Sequence, residues 1–449
     1  MKSRTTVMVS IVLAMLVASI DTTIMNTTMP IIAEELGRFD LYAWSFASYM
    51  IFCTVLSPVA GRISDIFGRK HVFGFGILFF LAGSLLCGIS ESMVQLVIFR
   101  AVQGIGAGIM MPFPMIIAGD LFPVEKRGKI QALFTGMWGL SAILAPLLGA
   151  FFVEYMSWRW IFYVNLPVCL LAFVTLLPYK EVYTPKKTSI DYIGAVLFAI
   201  GVTLILLVTV LEQYQLLVAA LGAAVMVIFY YYEKKQTSPI VPLSLIQDPT
   251  IRWINVNGFA ACAALFGIGS FIPLFLQDVA GQSLFMSGLA LLGMAVGWMV
   301  VSVPAGKWVL KYGYRRLLVI GNILLVLSGI TFFLINEDTG FWYVLGAMTV
   351  MGLAFGLTST VSMISAQQLV EPHQKGIATS FLMFCRNIGT AVGVTVMGAL
   401  LYGQSDVLDG FHYLFLFGLI GSIVAFLSSL WIRNRKLEVK ASLSYKFDE

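Results

Sequence analysis

Fourteen tracts of about twenty mainly apolar residues follow one another along the chain, and no other feature limits its fold so tightly. A helix needs roughly twenty such residues to cross the hydrocarbon core of a bilayer. The first six tracts lie near 7–32, 42–63, 71–90, 94–119, 130–153 and 159–178. Two more lie near 190–211 and 215–232, and the last six near 254–277, 285–309, 316–335, 341–368, 376–402 and 411–432. The composition leads the same way: 59% of the 449 residues are hydrophobic and 11% charged, with a mean hydropathy of +0.91. Soluble domains carry about 25% charged residues, so this chain cannot clothe itself in polar groups and its solvent must be lipid. The first tract is too long for a signal peptide and lacks a small-residue cleavage site, so it is read as a span.

The loops between tracts are sorted by charge. One set carries Arg62, Arg69, Lys70, Lys126, Arg127, Lys129, Lys180, Lys186, Lys187, Lys234, Lys235, Lys311, Arg315, Arg316, Arg433, Arg435 and Lys436. The alternate set carries chiefly acids, among them Glu34, Glu35, Asp40, Glu91, Glu154, Glu212, Asp278, Glu337 and Asp406, with Arg38 and Arg159 as basic exceptions. Basic loops stay in the cytoplasm, which places both termini there, as an even number of spans requires.

The tracts also repeat. Gly61 and Gly68, followed by Arg69 and Lys70, recur 245 positions later as Gly306 and Gly313, followed by Arg315 and Arg316. Gly104, Gly108 and Gly128 recur at an offset of 248 as Gly352, Gly356 and Gly376, and Arg127 matches Lys375. Parallel repeats are a common plan for membrane transporters. The expected organisation is a six-helix half (1–185), a central two-helix insertion (186–235), a cytoplasmic linker (236–253), and a second six-helix half with its tail (254–449).

Three ionisable residues stand well inside the tracts: Asp21, Arg100 and Arg386. A charge at a helix centre costs about 2.5–3.5 kcal/mol on insertion scales, so such residues mark functional sites by default. Asp21 lies in a polar turn with Thr22, Thr23 and Asn26. Its carboxyl avoids much of the cost when protonated, so it could hold either a proton or a cation, which is the elementary requirement of antiport. A permanently protonated acid tied to a neighbouring helix is the alternative. Arg100, near Gln103, has no counterpart in the second half, where the matching position is Met348. It is read as a proton-coupling partner for a carboxyl, or else as a helix-to-helix tie. Arg386, beside Asn387, corresponds to Trp138 and faces a water-filled cavity, caps a gate, or ties two helices. Asp21, Asn26, Gln103, Arg386 and Asn387 are thus candidates for lining a substrate cavity.

The loop Gly61, Asp65, Gly68, Arg69, Lys70 combines an acid, basic residues and two glycines. It is read as a cytoplasmic gate loop in which Asp65 accepts hydrogen bonds from a helix N-terminus or pairs with a basic residue. In the fifth tract Gly136, Gly139, Pro146 and Gly149 make a small-residue face with a proline bend. The five cysteines are scattered singly without a CxxC pair, and the three histidines form no ligand pattern. No metal, catalytic residue or cofactor is therefore expected, and an intramembrane enzyme, a channel and a nucleic-acid binder all lack the groups they need.

Together these tracts resemble the major facilitator superfamily and, within it, the fourteen-helix drug:proton antiporters. Residues 61–70, GRISDIFGRK, are similar to the superfamily loop G-x-L-A-D-x-x-G-R-K. Asp21 to Asn26 with Pro30 resembles the D-x-T-I-V-N-x-x-x-P tract of the first helix. Arg100, Gln103, Gly104, Gly106 and Gly108 resemble the fourth-helix motif, and Trp158 to Pro167 resembles W-R-W-I-F-x-I-N-x-P. Ala145, Pro146, Gly149 and Ala150 depart from the usual G-P-x-x-G-G, although alanine is small enough to keep the bend. The resemblance implies an all-α fold of fourteen membrane helices arranged six, two and six. It also implies a proton-driven exporter of lipophilic, often cationic, small molecules by alternating access, with Asp21 protonated and deprotonated in the cycle. The cell membrane of a bacterium is the implied location. Protons, substrate and lipid are the expected partners, and the oligomeric state is left open. A dedicated transporter of one antibiotic, amphiphilic metabolite or lipid is the alternative.

Overall fold

The computed structural model describes residues 2–38, 41–179, 181, 191–208, 211, 213–236, 239, 245, 247–282, 284–336, 339–371, 374–402 and 407–433. Sixteen helices carry the described chain. In order they are α1 (Lys2–Leu36), α2 (Tyr42–Phe67), α3 (Arg69–Gly88), α4 (Met93–Met110), α5 (Phe113–Leu121), α6 (Val124–Tyr155), α7 (Trp160–Tyr163) and α8 (Asn165–Leu176). There follow α9 (Tyr192–Leu207), α10 (Gln215–Glu233), α11 (Pro249–Asp278), α12 (Leu284–Tyr312), α13 (Tyr314–Phe333), α14 (Phe341–Gln368), α15 (Lys375–Tyr402) and α16 (Val407–Leu430).

Eleven described tracts are long and apolar enough to cross a membrane, against the fourteen expected from the sequence. The tract 130–153 lies inside the 32-residue α6. The tracts 159–178 and 190–211 fall on the shorter apolar helices Trp160–Leu176 and Tyr192–Leu207. The second of these starts late because the Asp191 carboxylate caps it, accepting from Gly194 N at 2.8 Å. Large apolar side chains stand exposed, including Phe75, Phe79, Trp342 and Leu216, which is 89% exposed. Faces of this kind suit lipid, which exacts no hydrophobic penalty for them.

The chain forms two compact units. Unit 1 contains Met1–Ile117, Met137–Leu243 and His373–Phe381; unit 2 contains Ala118–Gly136, Ser244–Pro372 and Leu382–Glu449. Unit 1 has a core of Ile24, Met29, Leu96, Trp158 and Phe162. In unit 2, Phe275, Phe332, Phe411 and Phe415 pack ring to ring at 5.3–6.1 Å.

The sequence repeat reappears as a repeat of contacts. Gly68, at φ +95°, ends α2 and starts α3; Gly313, at φ +79°, ends α12 and starts α13. Each reverses the chain in the left-handed region, which a side chain disfavours. Their amides accept the same geometry, donating to Ser64 O and Val309 O at 3.1 Å. Farther along, a Cβ on Gly104 or Gly108 would collide with the backbone of Tyr49 or Cys53 on α2. A Cβ on Gly352 or Gly356 would collide in the same way with Met294 or Trp298 on α12. The contacted positions are 245 apart and the glycines 248 apart, the two offsets read from the sequence. Close backbone approach of this kind replaces the hydrophobic drive that lipid removes.

Overpacking such a contact costs about 1–3 kcal/mol. Gly108→Val and Gly356→Val are each expected to lower the melting temperature of the detergent-solubilised protein. Exposed Gly346→Val, which meets no neighbour, is the control and should leave it near the wild-type value.

Candidate functional site

The three intramembrane charges have different environments. In unit 1, Asp21 on α1 is fully buried and Arg100 on α4 is 1% exposed. Arg100 Nη1 lies 2.7 Å from Asp21 Oδ2. The other carboxylate oxygen, Oδ1, accepts from Gln103 Nε2 at 2.7 Å and from Asn165 Nδ2 at 3.0 Å. Ser84 Oγ on α3 takes a further bond from each amide, at 2.9 and 3.3 Å. Arg100 Nη1 also donates to Gln103 Oε1 at 2.6 Å, and its guanidinium lies 4.2 Å from the Tyr49 ring centroid. Two helices, α4 and α8, therefore bond the carboxylate carried by α1, with α3 backing them through Ser84 and α2 adding the aromatic face.

Local sequence explains the convergence. Gly83 on α3 lies against the Gln103 backbone, where a Cβ would collide, so α4 comes close enough for Gln103 to reach inward. Thr22 and Thr23 bond back to Ala18 O and Ser19 O at 2.8 Å, so the polar turn around Asp21 satisfies itself. Asn165, at the start of α8, was the partner that sequence reading passed over. It is uncharged, and a count of intramembrane charges does not reach it, although it sits in the Trp158–Pro167 tract. Ser84 and Tyr49 carried no sequence signal beyond being polar in apolar helices.

Chemically the centre is a neutral ion pair whose carboxylate is bonded on both oxygens. A buried pair of this kind is only weakly stabilising, but removing one partner strands a charge and costs about 3–5 kcal/mol. A proton on Asp21 has the same electrostatic effect as removing the anion: it leaves Arg100 unneutralised.

The 61–70 loop is a second cluster in unit 1. Asp65 forms an ion pair with Arg69 at 2.5 Å and accepts from Gly376 N at 3.1 Å and Ile377 N at 2.9 Å, the free amides opening α15. Arg69 Nη1 donates to Ser64 Oγ at 2.7 Å. Gly61 faces Ser380 and the Gly376 backbone without room for a side chain. Glu181 caps α3, accepting from Arg69 N at 2.7 Å and Lys70 N at 2.9 Å. Lys70 Nζ donates to Leu177 O at 2.5 Å.

The repeat-related Arg127 belongs to unit 2 and closes the end of α5, donating to Phe122 O at 3.1 Å and Gly119 O at 2.5 Å. It also reaches Gln367 Oε1 at 3.2 Å. Burial pushes its guanidinium down to about 10, against the opposing pull of Asp120 and Glu125, so it remains a cation at neutral pH.

The remaining candidates are dispersed. Arg386 and Asn387 are half-buried residues of α15 in unit 2. The backbone of Asn26 is helical, but its side chain lies outside the described ones, as does the ring of Pro146. Gly149 is buried within an unbroken α6. Arg159, the basic exception among acidic loops, pairs with Glu35 at 2.9 Å and lies 4.3 Å from the Trp158 ring centroid.

If the ion pair governs the stability of unit 1, Arg100→Met should destabilise the protein more than the double variant Asp21→Asn/Arg100→Met, which leaves no stranded charge. Thermal melts in detergent check this; a double variant no more stable than the single one would refute it.

The comparisons with known proteins agree with this architecture. The sequence pattern of the Major Facilitator Superfamily matches residues 11–302 and again 254–446. The multidrug transporter protein MdtP of Bacillus subtilis is 31% identical over 90% of this chain and 76% of its own. Multidrug resistance protein 3 of the same bacterium is 34% identical, over 87% and 78%. The multidrug efflux pump SdrM of Staphylococcus aureus is 28% identical, over 91% and 92%. Among solved structures, the human organic anion transporter MFSD10 superposes with a TM-score of 0.70 at 15% identity, covering 94% of this chain and 99% of its own. The proton:xylose symporter XylE superposes at 0.67 with 17% identity, over 96% of each. At such low identity these two establish the shared fold alone. The family is one of membrane transporters rather than enzymes, and this chain is a multi-pass member of the Major Facilitator Superfamily.

Proposed function

We propose that the protein is a proton-coupled antiporter that exports lipophilic small molecules across the cell membrane. The observation that carries this reading is the buried Asp21–Arg100 pair, held by Gln103, Asn165 and Ser84. Both carboxylate oxygens are occupied, so the small species best able to compete for Asp21 is a proton. Protonation releases Arg100 from its counter-ion in a medium that penalises a lone charge. The helices bearing the two residues are then favoured in another arrangement, in which Arg100 gains water or a different partner. A membrane potential of 100 mV contributes about 2.3 kcal/mol for each charge moved across the bilayer, enough to bias such an exchange.

The names of the bacterial relatives support drugs as cargo. The resemblance to drug:proton antiporters adds the finer reading: fourteen spans in a six, two and six arrangement, both termini cytoplasmic, and substrates that are often cationic. On that topology the Asp65 cluster faces the cytoplasm, where it latches the start of α15 to the end of α2.

Uptake of ethidium into everted membrane vesicles tests the reading. It should be driven by a proton gradient, collapse with a protonophore, and fall at least about tenfold in Asp21→Asn, the scale of removing one essential charge. Transport of one compound only, among many tried, would favour a dedicated transporter. Protonophore-insensitive transport would refute proton coupling, and normal transport by Asp21→Asn would remove Asp21 from it. Asp65→Asn should slow transport while ethidium binding to the purified protein stays near the wild-type affinity. Unaltered transport would show that the latch plays no part in the cycle.

A further inference from the structure

We propose that Arg386 is a binding site for an anionic oxygen, a carboxylate, sulfonate or phosphate, on the lipophilic compounds this protein carries. Transport of such compounds rests on the export reading above; the binding site itself does not. Arg386 lies within an apolar helix, α15, yet its three hydrogen bonds go to neutral oxygens: Ser359 Oγ and Ser359 O, both at 3.1 Å, and Ser362 Oγ at 2.8 Å. No carboxylate pairs with it among the described residues. Every described acid of unit 2 (Asp120, Glu125, Asp248, Asp278, Glu371 and Asp409) lies at a helix end or in a loop. Arg100, the comparable cation in unit 1, has its carboxylate at 2.7 Å. Among the described residues, then, one intramembrane arginine has a counter-ion and the other has none, and an incoming anion would offset the second charge.

The surroundings suit such a ligand. As at Arg100, whose charge is met by Asp21 instead, the Nε–H of Arg386 is buried and has no acceptor among the described residues. Beside it Gly258 on α11 presents no side chain; a Cβ there would stand 3.6 Å from Nε. One helical turn from Ser359 on α14, Phe355 packs against Trp298 at 4.7 Å and Phe266 at 5.4 Å. The Trp298 indole N–H is a second buried donor with no acceptor among the described residues. Two unused donors on helices α12 and α15 of unit 2, with no carboxylate paired to Arg386 among the described residues, complement an amphiphile carrying an acidic head group. A guanidinium offers the paired donors that such oxygens favour.

The test uses the purified full-length protein in detergent and two fluorescent probes with the same apolar body, 1-pyrenebutyrate and its uncharged methyl ester. Anisotropy titrations should give the carboxylate an affinity about tenfold above the ester in the wild type. The preference should vanish in Arg386→Gln and largely survive in Arg386→Lys. A melting curve shows whether Arg386→Gln is folded; should it not be, the lysine variant and the wild-type ratio still decide. Equal binding of the two probes by the wild type overturns the proposal, as does a preference that survives Arg386→Gln, which would leave Arg386 as a tie between α15 and α14. Proteoliposome transport separates this from the export reading. Discrimination through Arg386 without proton-driven transport would refute export alone, and proton-driven transport without discrimination would refute the anion site alone.

Discussion

A polar group in hydrocarbon has no water to bond, and most of this structure follows from that constraint. The backbone meets it by becoming helical, which satisfies each amide within its own segment. Side chains meet it in three ways. Thr22 and Thr23 bond to their own helix. Asp21 gathers partners from α4 and α8. Arg386 is left with neutral oxygens and an unused donor. The same penalty that forces economy in polar groups makes each exception a mark of chemistry.

Glycine is the other half of the design. Lipid tails are as apolar as leucine, so helices in a membrane are held together by close packing rather than by expulsion of water. Gly104 and Gly108 against α2, and Gly352 and Gly356 against α12, bring backbones into contact. Gly83 does the same between α3 and α4 and thereby sets Gln103 within reach of Asp21. Packing and chemistry are linked here: the ion-pair centre exists because small residues let its helices approach.

The two clusters of unit 1 use charge differently. At Asp65 the carboxylate meets a helix N-terminus and an arginine four residues on, so the acid is stabilised by amide dipoles as well as by a cation. At Asp21 side chains supply the donors instead, the Gln103 and Asn165 amides and the Arg100 guanidinium. An acid that relies on movable side chains exchanges partners more readily than one fastened to backbone amides. This difference accords with the roles proposed above, proton exchange for Asp21 and latching for Asp65.

The amino-acid sequence alone determined that the chain is a helical membrane protein, that it contains a repeat, and which charges lie inside it. Those properties follow from hydropathy, loop charge and glycine spacing, all of which are local or periodic. It also matched Gly68 with Gly313 across the repeat, and the structure gives both the positive φ that glycine adopts freely. Partnership was decided by the tertiary structure. Asn165 lies 144 residues from Asp21 and Gly376 lies 311 from Asp65, separations over which no spacing rule operates. The contrast between Arg100, paired with a carboxylate, and Arg386, which among the described residues has none, is likewise invisible in the sequence, since both are single arginines in apolar helices. Which one finds a carboxylate depends on the helices folding brings beside it.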